Sequence, residues 1–279
     1  MRRVVVTGLG CVSPVGNSMD ETWDAVTKGR SGIALISRYD SSAFKVKYDA
    51  EVKNFDASLY MDSKAARKMA NFTKYAVASA KMALDDAGLT DNKEVLDKAS
   101  VYLGVGIGGF EVTESSMKSY FESNQTRMPP MTVPLLIPNE GAANVSMAFG
   151  IHGATHTIAT ACASGTDAIG NALDNIRSGR SDVVLAGGAE CTENGFSNLG
   201  FSLLQALSTK WVDDPTKASR PFDKDRDGFV MAEGSAMFIL EEYEHAKARG
   251  AKIYAEVAGF GSSCDGYHIT ADRKSTRLN

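Results

Sequence analysis

The stretch at residues 160–165 reads Thr-Ala-Cys-Ala-Ser-Gly and carries the most information about fold and chemistry. It lies between an apolar, strand-like run at residues 156–159 and a helix-like run at residues 168–176. A thiol at such a junction lies where backbone N–H groups point outward and the helix dipole favours negative charge. Cys162 is therefore a candidate nucleophile, although a lone cysteine in an apolar segment is more often a small buried side chain.

The composition is that of a globular protein: 279 residues, 43% hydrophobic and 23% charged, with a net charge of −4. This length allows one large domain or two smaller ones. The charge gives no indication of nucleic-acid binding, and no stretch approaches the ~20 apolar residues of a membrane span. We therefore expect a cytoplasmic protein whose partners include neither nucleic acid nor membrane.

Cofactor and metal motifs are incomplete. The Gly-x-Gly at residues 8–10 is followed by Ser13, where a dinucleotide fingerprint needs glycine. The acidic turn at residues 223–228 resembles the start of a calcium loop, but Gly234 stands where that loop needs a glutamate. The widely spaced cysteines form neither a C-x-x-C pair nor a zinc pattern: Cys11, Cys162, Cys191 and Cys264. We predict free thiols, no metal and no cofactor.

Apolar runs and helical periodicity alternate along the chain, which predicts a layered α/β fold. Strands are predicted at residues 4–10, 100–105, 182–186 and 235–240, and helices at 18–28, 63–87, 139–149 and 241–249. Ser18 and Glu21 fit a capping box. Continuous apolar strands predict a mixed, largely parallel sheet with both faces covered. Residues 2–10 and 251–261 resemble each other, which suggests a duplicated unit.

Three basic residues, Lys64, Arg67 and Lys68, share one face of the predicted helix at 63–87. Such a face is usually only solvated, but it could also dock an acidic partner. No histidine is a strong candidate for a general base, although His156 lies six residues before Cys162.

Taken together, the motifs resemble the β-ketoacyl-acyl-carrier-protein synthases of the thiolase fold, closest to the type II, chain-elongating enzymes of bacterial fatty-acid synthesis. They follow the family order at residues 5–10, 13–16, 106–109, 160–165, 186–190, 206–209, 219–223, 226–230 and 265–268. The resemblance implies that Cys162 takes an acyl group from a carrier protein as a thioester. Malonyl-carrier protein would then lose carbon dioxide and attack the acyl-cysteine in a Claisen condensation.

The resemblance also implies roles for individual residues. Ile107 and Phe201 correspond to acyl-pocket residues, with Ile107 as a gate at the interface of a homodimer. The basic residues at positions 64, 67 and 68 correspond to a docking surface for acyl carrier protein. The backbone N–H of Cys162 would supply half of an oxyanion hole. Acyl groups arrive on phosphopantetheine of the carrier, so no further cofactor is expected.

The resemblance implies that residues 1–250 form the N-terminal thiolase-like half, that 251–271 begin the second half, and that 272–279 are a non-family, disordered tail. The chain lacks the family's C-terminal third, which carries two decarboxylation histidines, a lysine and a Gly/Phe loop. We therefore expect apolar surface to be exposed on the helices between the two halves, an isolated chain that is poorly stable or aggregates, and no condensation by the chain alone.

Alternative functions remain open at this point. One is another thiolase-fold enzyme, such as a polyketide ketosynthase or a thiolase; the motifs at residues 220–223 and 226–229 favour the carrier-dependent elongating group. Another is a non-catalytic partner like a chain-length factor, which Cys162 argues against because such partners typically lack the cysteine. A carrier-binding module without turnover is the third.

Overall fold

The apolar strands predicted from the sequence form the centre of one mixed sheet. The computed structural model describes residues 1–123, 128–192 and 194–268. Six strands follow the spatial order β5–β4–β6–β7–β1–β8, and a short hairpin-like pair, β2 and β3, lies apart. The strands are β1 (Val4–Val12), β2 (Ala34–Leu35), β3 (Tyr48–Asp49), β4 (Ser100–Gly104), β5 (Thr155–Ile158), β6 (Val183–Glu190), β7 (Gly234–Glu242) and β8 (Ala255–Glu256).

The sheet has a parallel side and an antiparallel side. Strand β4 pairs in parallel with β5 and with β6, whereas β7 and β1 are antiparallel to each other and to their outer neighbours β6 and β8. The mixed α/β class is as predicted. Parallel pairing is less dominant than predicted, because it accounts for two of the five pairings that the described residues make within the six-stranded sheet.

Helices cover both faces of the sheet, as the continuous apolar strands predicted. On one face, α3 and α7 pack over a cluster that includes Phe72, Leu103 and Ile239. On the other, α8 packs through Leu173 and Ile176. The helices are α1 (Met19–Thr27), α2 (Ser63–Ala66), α3 (Asn71–Asp86), α4 (Lys93–Lys98), α5 (Phe110–Ser123), α6 (Thr132–Leu136), α7 (Glu140–Phe149), α8 (Ser164–Arg177), α9 (Gly195–Leu203) and α10 (Tyr243–Ala248).

The glycine pair of β1 lets α3 lie directly on the strand. A Cβ atom on Gly8 would come within 2.1 Å of the Ala83 carbonyl oxygen, and one on Gly10 within 1.9 Å of the Ser79 carbonyl oxygen. These glycines lie within the strand and not in a turn. Close packing, and not dinucleotide binding, therefore explains the Gly-x-Gly sequence.

The prediction of one long helix over residues 63–87 is wrong, because the chain breaks between α2 and α3. Ala70 adopts an extended conformation, with φ −65° and ψ 163°, and offers no side-chain cap. The start of α3 is capped from a distant helix instead, since the Asn71 N–H donates to Glu111 Oε1 at 2.9 Å. This long-range cap is invisible to helical periodicity.

Other local signals are confirmed. Ser18 caps α1 by accepting a hydrogen bond from the Glu21 N–H at 3.2 Å, while Glu21 Oε2 accepts from the Asn17 N–H at 2.8 Å. Gly150 ends α7 in the left-handed conformation, with φ 65°. Capping residues therefore predict the ends of these helices better than the length of a periodic run does.

The two segments that resemble each other in sequence lie side by side. Strand β8 pairs antiparallel with β1, and Arg3 Nη2 donates to Glu256 Oε2 at 2.6 Å. The division into units at residues 1–250 and 251–271 stays a prediction, and residues 269–271 with the tail at 272–279 lie outside the described residues.

Several large apolar side chains are exposed in the described residues. They include three on α5 and three on α9, with Phe121 and Leu203 each 75% exposed. The exposure expected on the helices between the two halves stays a prediction. The poor stability expected of the isolated chain stays a prediction.

Candidate active site

The Cys162 thiol lies at the carboxyl ends of the parallel strands. A short 3₁₀ turn, Ala161–Ala163, joins the segment after β5 to the first residue of α8, and Cys162 is exposed in this turn. Carboxyl ends of neighbouring parallel strands meet at one edge of a sheet, which is where α/β proteins place their ligands. The predicted strand–turn–helix context of the cysteine is present.

The residue before the cysteine is held in a left-handed conformation. Ala161 has φ 51°, which costs an alanine on the order of 1 kcal/mol or more. Ser164 holds this turn: its Oγ accepts from the Thr160 N–H at 2.9 Å and donates to the Ala161 carbonyl at 2.6 Å. The strain aims the cysteine outward at a fixed position instead of letting it pack inside.

Two glycines bring the start of α8 against the sheet. A Cβ atom on Gly104 would lie 2.3 Å from the Ser164 carbonyl oxygen, and one on Gly188 would lie 3.2 Å from Gly165 Cα. The N-cap residue of α8, Ala163, makes no side-chain cap. Uncapped first-turn N–H groups beside the thiol are suited to hydrogen-bonding a negatively charged sulfur or oxyanion.

The glycine-rich loop that follows β4 is fixed by Glu190. Its Oε2 accepts from the N–H groups of Gly106 and Ile107, both at 2.8 Å, and its Oε1 accepts from Gly108 N–H at 3.1 Å. A Cβ on Gly106 would approach the Ala161 carbonyl oxygen to 3.5 Å, so the loop borders the Cys162 turn. The structure therefore brings Ile107, which is half-buried, next to the cysteine segment.

Two opposing effects act on this carboxyl group. Burial raises the pKa of Glu190, and the three N–H donors of the loop pull it in the opposite direction, with burial the larger effect. A carboxylate surrounded by three N–H donors is nevertheless well satisfied, and it ties the end of β6 to the loop after β4.

Phe201, the second predicted pocket residue, lies on α9. Its ring packs edge-to-face on Phe229 with centroids 5.3 Å apart, beside the small core cluster of Val46, Leu207 and Met231. A similar contact, between Phe110 and Phe196 at 5.2 Å, joins the helix after the Gly106 loop to α9. Helix α9 therefore makes aromatic contacts at two places. Phe201 contacts Phe229, and Phe196 contacts the helix that follows the Ile107 loop.

The three predicted docking residues do not share one helical face, because α2 ends at Ala66. All three are exposed, but Lys64 and Lys68 line a cavity of about 530 Å³ floored by Met147 and Phe149, while Arg67 lines another cavity. The positive charge of these three residues is therefore divided between two concave regions, and their role in docking stays a prediction.

Three histidines have side-chain partners in the described residues. His152 Nδ1 lies 2.8 Å from Asp97 Oδ1, His245 Nδ1 lies 2.6 Å from Glu241 Oε1, and the His156 ring packs 5.1 Å from that of Tyr102. The expectation that no histidine is a strong general base for Cys162 stays a prediction.

Within the described ranges, no group of three or more His, Cys, Asp or Glu side chains is arranged to hold a metal ion. A search of the same ranges finds no helix with the length and apolar character needed to cross a membrane.

Two features of this region were missed in the sequence. Glu190 ends the motif at residues 186–190, yet only the fold shows that its carboxylate reaches three N–H groups of a loop more than 80 residues earlier. The left-handed Ala161 carries no sequence signal, since alanine gives no preference for that conformation. An acidic residue directly after a buried strand was the one available clue to Glu190.

Comparison with known proteins agrees with this geometry. Residues 1–246 match the family described as beta-ketoacyl synthase, N-terminal domain. The chain is 47% identical over 270 residues to 3-oxoacyl-[acyl-carrier-protein] synthase 2 of Vibrio cholerae, and 43% identical to the protein of that name from Synechocystis; each match covers 97% of this chain and 65% of the relative. The chain thus spans just under two thirds of these relatives.

Solved structures show the same architecture. A beta-ketoacyl synthase from Burkholderia phymatum superimposes with a TM-score of 0.87 at 37% identity, covering 97% of this chain and 66% of that one. The ishigamide ketosynthase/chain length factor gives a TM-score of 0.90 at 33% identity, with the same two coverages. The mixed sheet and helices are thus those of a thiolase-like ketosynthase. By sequence match and by structure, this chain belongs to the beta-ketoacyl synthase family and contains its N-terminal domain.

Proposed function

We propose that the chain is the cysteine-bearing part of a 3-oxoacyl-[acyl-carrier-protein] synthase and that Cys162 is its acyl acceptor. The observation that carries this proposal is the exposed thiol in a strained turn at the uncapped start of α8. The names of the relatives, 3-oxoacyl-[acyl-carrier-protein] synthase 2, support the same assignment.

The proposed first step is a thioester exchange. The Cys162 sulfur attacks the carbonyl carbon of an acyl thioester, and the Cys162 N–H donates to the oxyanion that develops there. A new carbon–sulfur bond forms to Cys162, the carbon–sulfur bond to the phosphopantetheine arm breaks, and the carrier leaves with a free thiol. Small neighbours, Ala163 and Gly165, leave room for the acyl group.

In the proposed second step, malonyl-carrier protein loses carbon dioxide and the resulting carbanion attacks the acyl-cysteine. The family resemblance assigns decarboxylation to two histidines that have no counterpart in these 279 residues. We therefore propose acylation, without condensation, for the chain by itself. Ile107 and Phe201 are proposed to contact the acyl chain, with Glu190 fixing the position of the Ile107 loop.

Acyl carrier protein is the proposed partner. One solved relative is a type II polyketide ketosynthase in complex with its acyl-carrier protein, at a TM-score of 0.83 and 32% identity. Exposed Lys64, Arg67 and Lys68 supply positive charge for an acidic carrier, which mainly speeds association. A homodimer is proposed by family resemblance, with Ile107 near its interface.

Intact-protein mass spectrometry after incubation with hexanoyl-carrier protein tests the proposal. We expect one hexanoyl adduct, located on the peptide that contains Cys162, and none on a Cys162→Ala variant. The Cys191→Ser variant is the matched control, because it alters a buried thiol and should acylate normally. An adduct on another residue, or none with a folded chain, would contradict the proposal.

A polyketide ketosynthase is the second candidate, favoured by the similarity to the ishigamide and Ant ketosynthases. Competition between a saturated fatty acyl-carrier protein and a polyenoyl- or poly-β-ketoacyl-carrier protein separates the two functions. Preferential labelling of Cys162 by the saturated chain supports the fatty-acid assignment. Such labelling also separates this chain from a partner that binds a carrier without turnover.

A further inference from the structure

A cavity of about 480 Å³ lies between the α2–α3 segment and the loops before it, and its lining contains basic but no acidic residues. Three of its ten lining residues are cationic, namely Arg38, Arg67 and Lys74, and none of the ten is an aspartate or glutamate. These cations come from three separate places in the sequence, so the fold and not local periodicity brings them together.

Arg38 is fixed in the wall of this cavity. Its guanidinium donates to the carboxylate of Glu233, with Nη1 2.6 Å from Oε2, and to the Val52 carbonyl at 3.1 Å. The Glu233 side chain is fully buried and does not line the cavity, while that of Arg38 is 29% exposed. Because Arg38 Nη2 also lies 3.4 Å from Tyr75 Oη, protein acceptors occupy both Nη groups, and Glu233 pairs with the charge. Arg38 is therefore a fixed part of the wall, and the free cationic donors must come from Arg67 and Lys74.

The other two cations retain binding capacity. Lys74 Nζ donates to Asn71 Oδ1 at 3.0 Å, which uses one of its three donors. Arg67 forms no ion pair within 4 Å among the described residues. Free donors from both side chains therefore face the same space as Arg38.

Nearby acidic groups offset this charge only in part. Asp62 interacts electrostatically with Arg67, and Glu111 and Glu140 interact electrostatically with Lys74. None of these three carboxyl groups lines the cavity. Burial raises the pKa of Glu111, and it raises the pKa of Glu140 to about 7, so Glu140 compensates Lys74 incompletely near neutral pH.

The rest of the lining shows what kind of molecule fits. Phe55, Val52 and two alanines give the cavity an apolar wall opposite its polar groups. The volume falls in the range of about 300 to 1,000 Å³ that is typical of small-molecule sites and exceeds what a lone oxyanion fills. A charged head with an organic portion attached matches both parts of the surface.

We propose that the cavity lined by Arg38, Arg67 and Lys74 is a binding site for a phosphate monoester, with the phosphate on Arg67 and Lys74 and the organic part against Phe55. None of the ten lining residues belongs to the Cys162 turn, and one of them, Arg67, is shared with the proposed carrier-docking surface. The phosphate monoester has two sources to be distinguished: a free small molecule, or the phosphopantetheine arm of a carrier protein.

Binding of inorganic phosphate and of pantetheine 4′-phosphate to the full 279-residue chain tests the site, by ³¹P NMR titration and by ligand-dependent melting temperature. We expect saturable binding in the millimolar range or tighter, stronger for the monoester than for phosphate, and none for pantetheine without its phosphate. Affinity should fall as salt rises, because charge supplies most of it.

The matched variants are Lys74→Gln, Arg67→Gln and, as control, Lys81→Gln. Each removal of a lining cation should weaken monoester binding about fivefold or more. Lys81 lies on α3 like Lys74 but pairs with Asp85 and does not line this cavity, so its loss should change binding less than twofold. Circular dichroism and the melting temperature without ligand identify a variant that has unfolded.

Carrier protein with and without its phosphopantetheine arm separates the two sources. If Lys74→Gln weakens binding of the carrier only when the arm is present, the phosphate is carrier-borne; if free monoester binding alone is weakened, the ligand is a free molecule. The proposal is overturned if no phosphate-dependent signal appears with the folded chain, or if Lys81→Gln weakens binding as much as Lys74→Gln. A Cys162→Ala variant should bind normally, so failure here leaves the acylation proposal unaffected.

Discussion

Two cysteines of this chain, Cys162 and Cys191, occupy opposite environments. Cys162 is exposed in a strained turn beside the uncapped start of a helix. Cys191 is 1% exposed, directly follows β6, and donates through Sγ to the buried Glu233 carboxylate at 2.9 Å. Burial, reinforced by the negative charge of Glu233, raises the pKa of the Cys191 thiol far above its usual range.

The difference shows that backbone geometry and burial, and not residue type, separate a nucleophile from a structural thiol. Both cysteines stand at the carboxyl end of a parallel strand or just beyond it. One is turned out by a left-handed residue, and the other is turned into a network of Glu233, Arg38 and Tyr75. The predictions below test that contrast.

The largest effect is expected from removal of the exposed thiol. Cys162→Ala should reduce acyl-adduct formation from a loaded carrier by at least about 1,000-fold, because the nucleophile itself is lost. Mass spectrometry of the intact chain measures this. Cys191→Ser should retain the rate of acyl-adduct formation within about threefold. Equal losses in both variants would show that the two thiols do not differ in this reaction.

Alkylation without any carrier gives the next largest effect. At pH 8, iodoacetamide should modify Cys162 at least about 100-fold faster than Cys191, since reaction needs an accessible thiolate. Peptide mapping over a time course gives both rates. Comparable rates in the folded chain would show that the buried network opens readily.

The close approach that positions the Cys162 turn can be broken at Gly104. A methyl group there would meet the Ser164 carbonyl oxygen at 2.3 Å, so Gly104→Ala should lower the free energy of unfolding by about 3 kcal/mol or more. Urea unfolding measures the loss. Gly200→Ala is the control: it lies in α9 with open space around it, and should be neutral or stabilise by about 0.5 kcal/mol.

The Glu190 carboxylate holds the loop beside Cys162, so its replacement should affect selectivity more than stability. Glu190→Gln keeps one acceptor oxygen but places an amide NH₂ against backbone N–H donors. We expect the preference of Cys162 between short and long acyl chains to change about fivefold. Exposed Glu94→Gln is the control. If Glu190→Gln leaves the acyl-chain preference unchanged, the loop does not contribute to the acyl pocket.

The smallest effect is a pH dependence from the buried side of the comparison. Burial raises the pKa of Glu140 to about 7, above its unfolded value, so the folded state binds the extra proton and loses stability as the pH rises from the unfolded pKa toward 7. Glu140→Gln should remove this penalty and stabilise the chain by about 1 kcal/mol at pH 8. Little change is expected at pH 4, where the Glu140 carboxyl of the folded chain is protonated and therefore neutral like glutamine. Thermal melts of both proteins at pH 4 and pH 8 provide the check.

Much of this architecture could be predicted from the sequence because its determinants are local. Apolar runs marked the central strands, Ser18 marked the start of α1, and the glycine-flanked cysteine marked its turn. What escaped prediction depends on distant residues. The break before Asn71 is stabilised by Glu111, the Ile107 loop by Glu190, and the cation cluster at Arg38 by Glu233.

The location of β1 in the sheet has a consequence for synthesis of the chain. Its only sheet partners in the described residues are β7 and β8, and Val5 pairs with Glu241 and Glu256. At about 5 to 20 residues per second, a ribosome needs on the order of 10 to 50 s to produce those partners after β1 emerges. Throughout that interval an apolar N-terminal strand has no sheet neighbour, so a cotranslational chaperone has a long period in which to act on it.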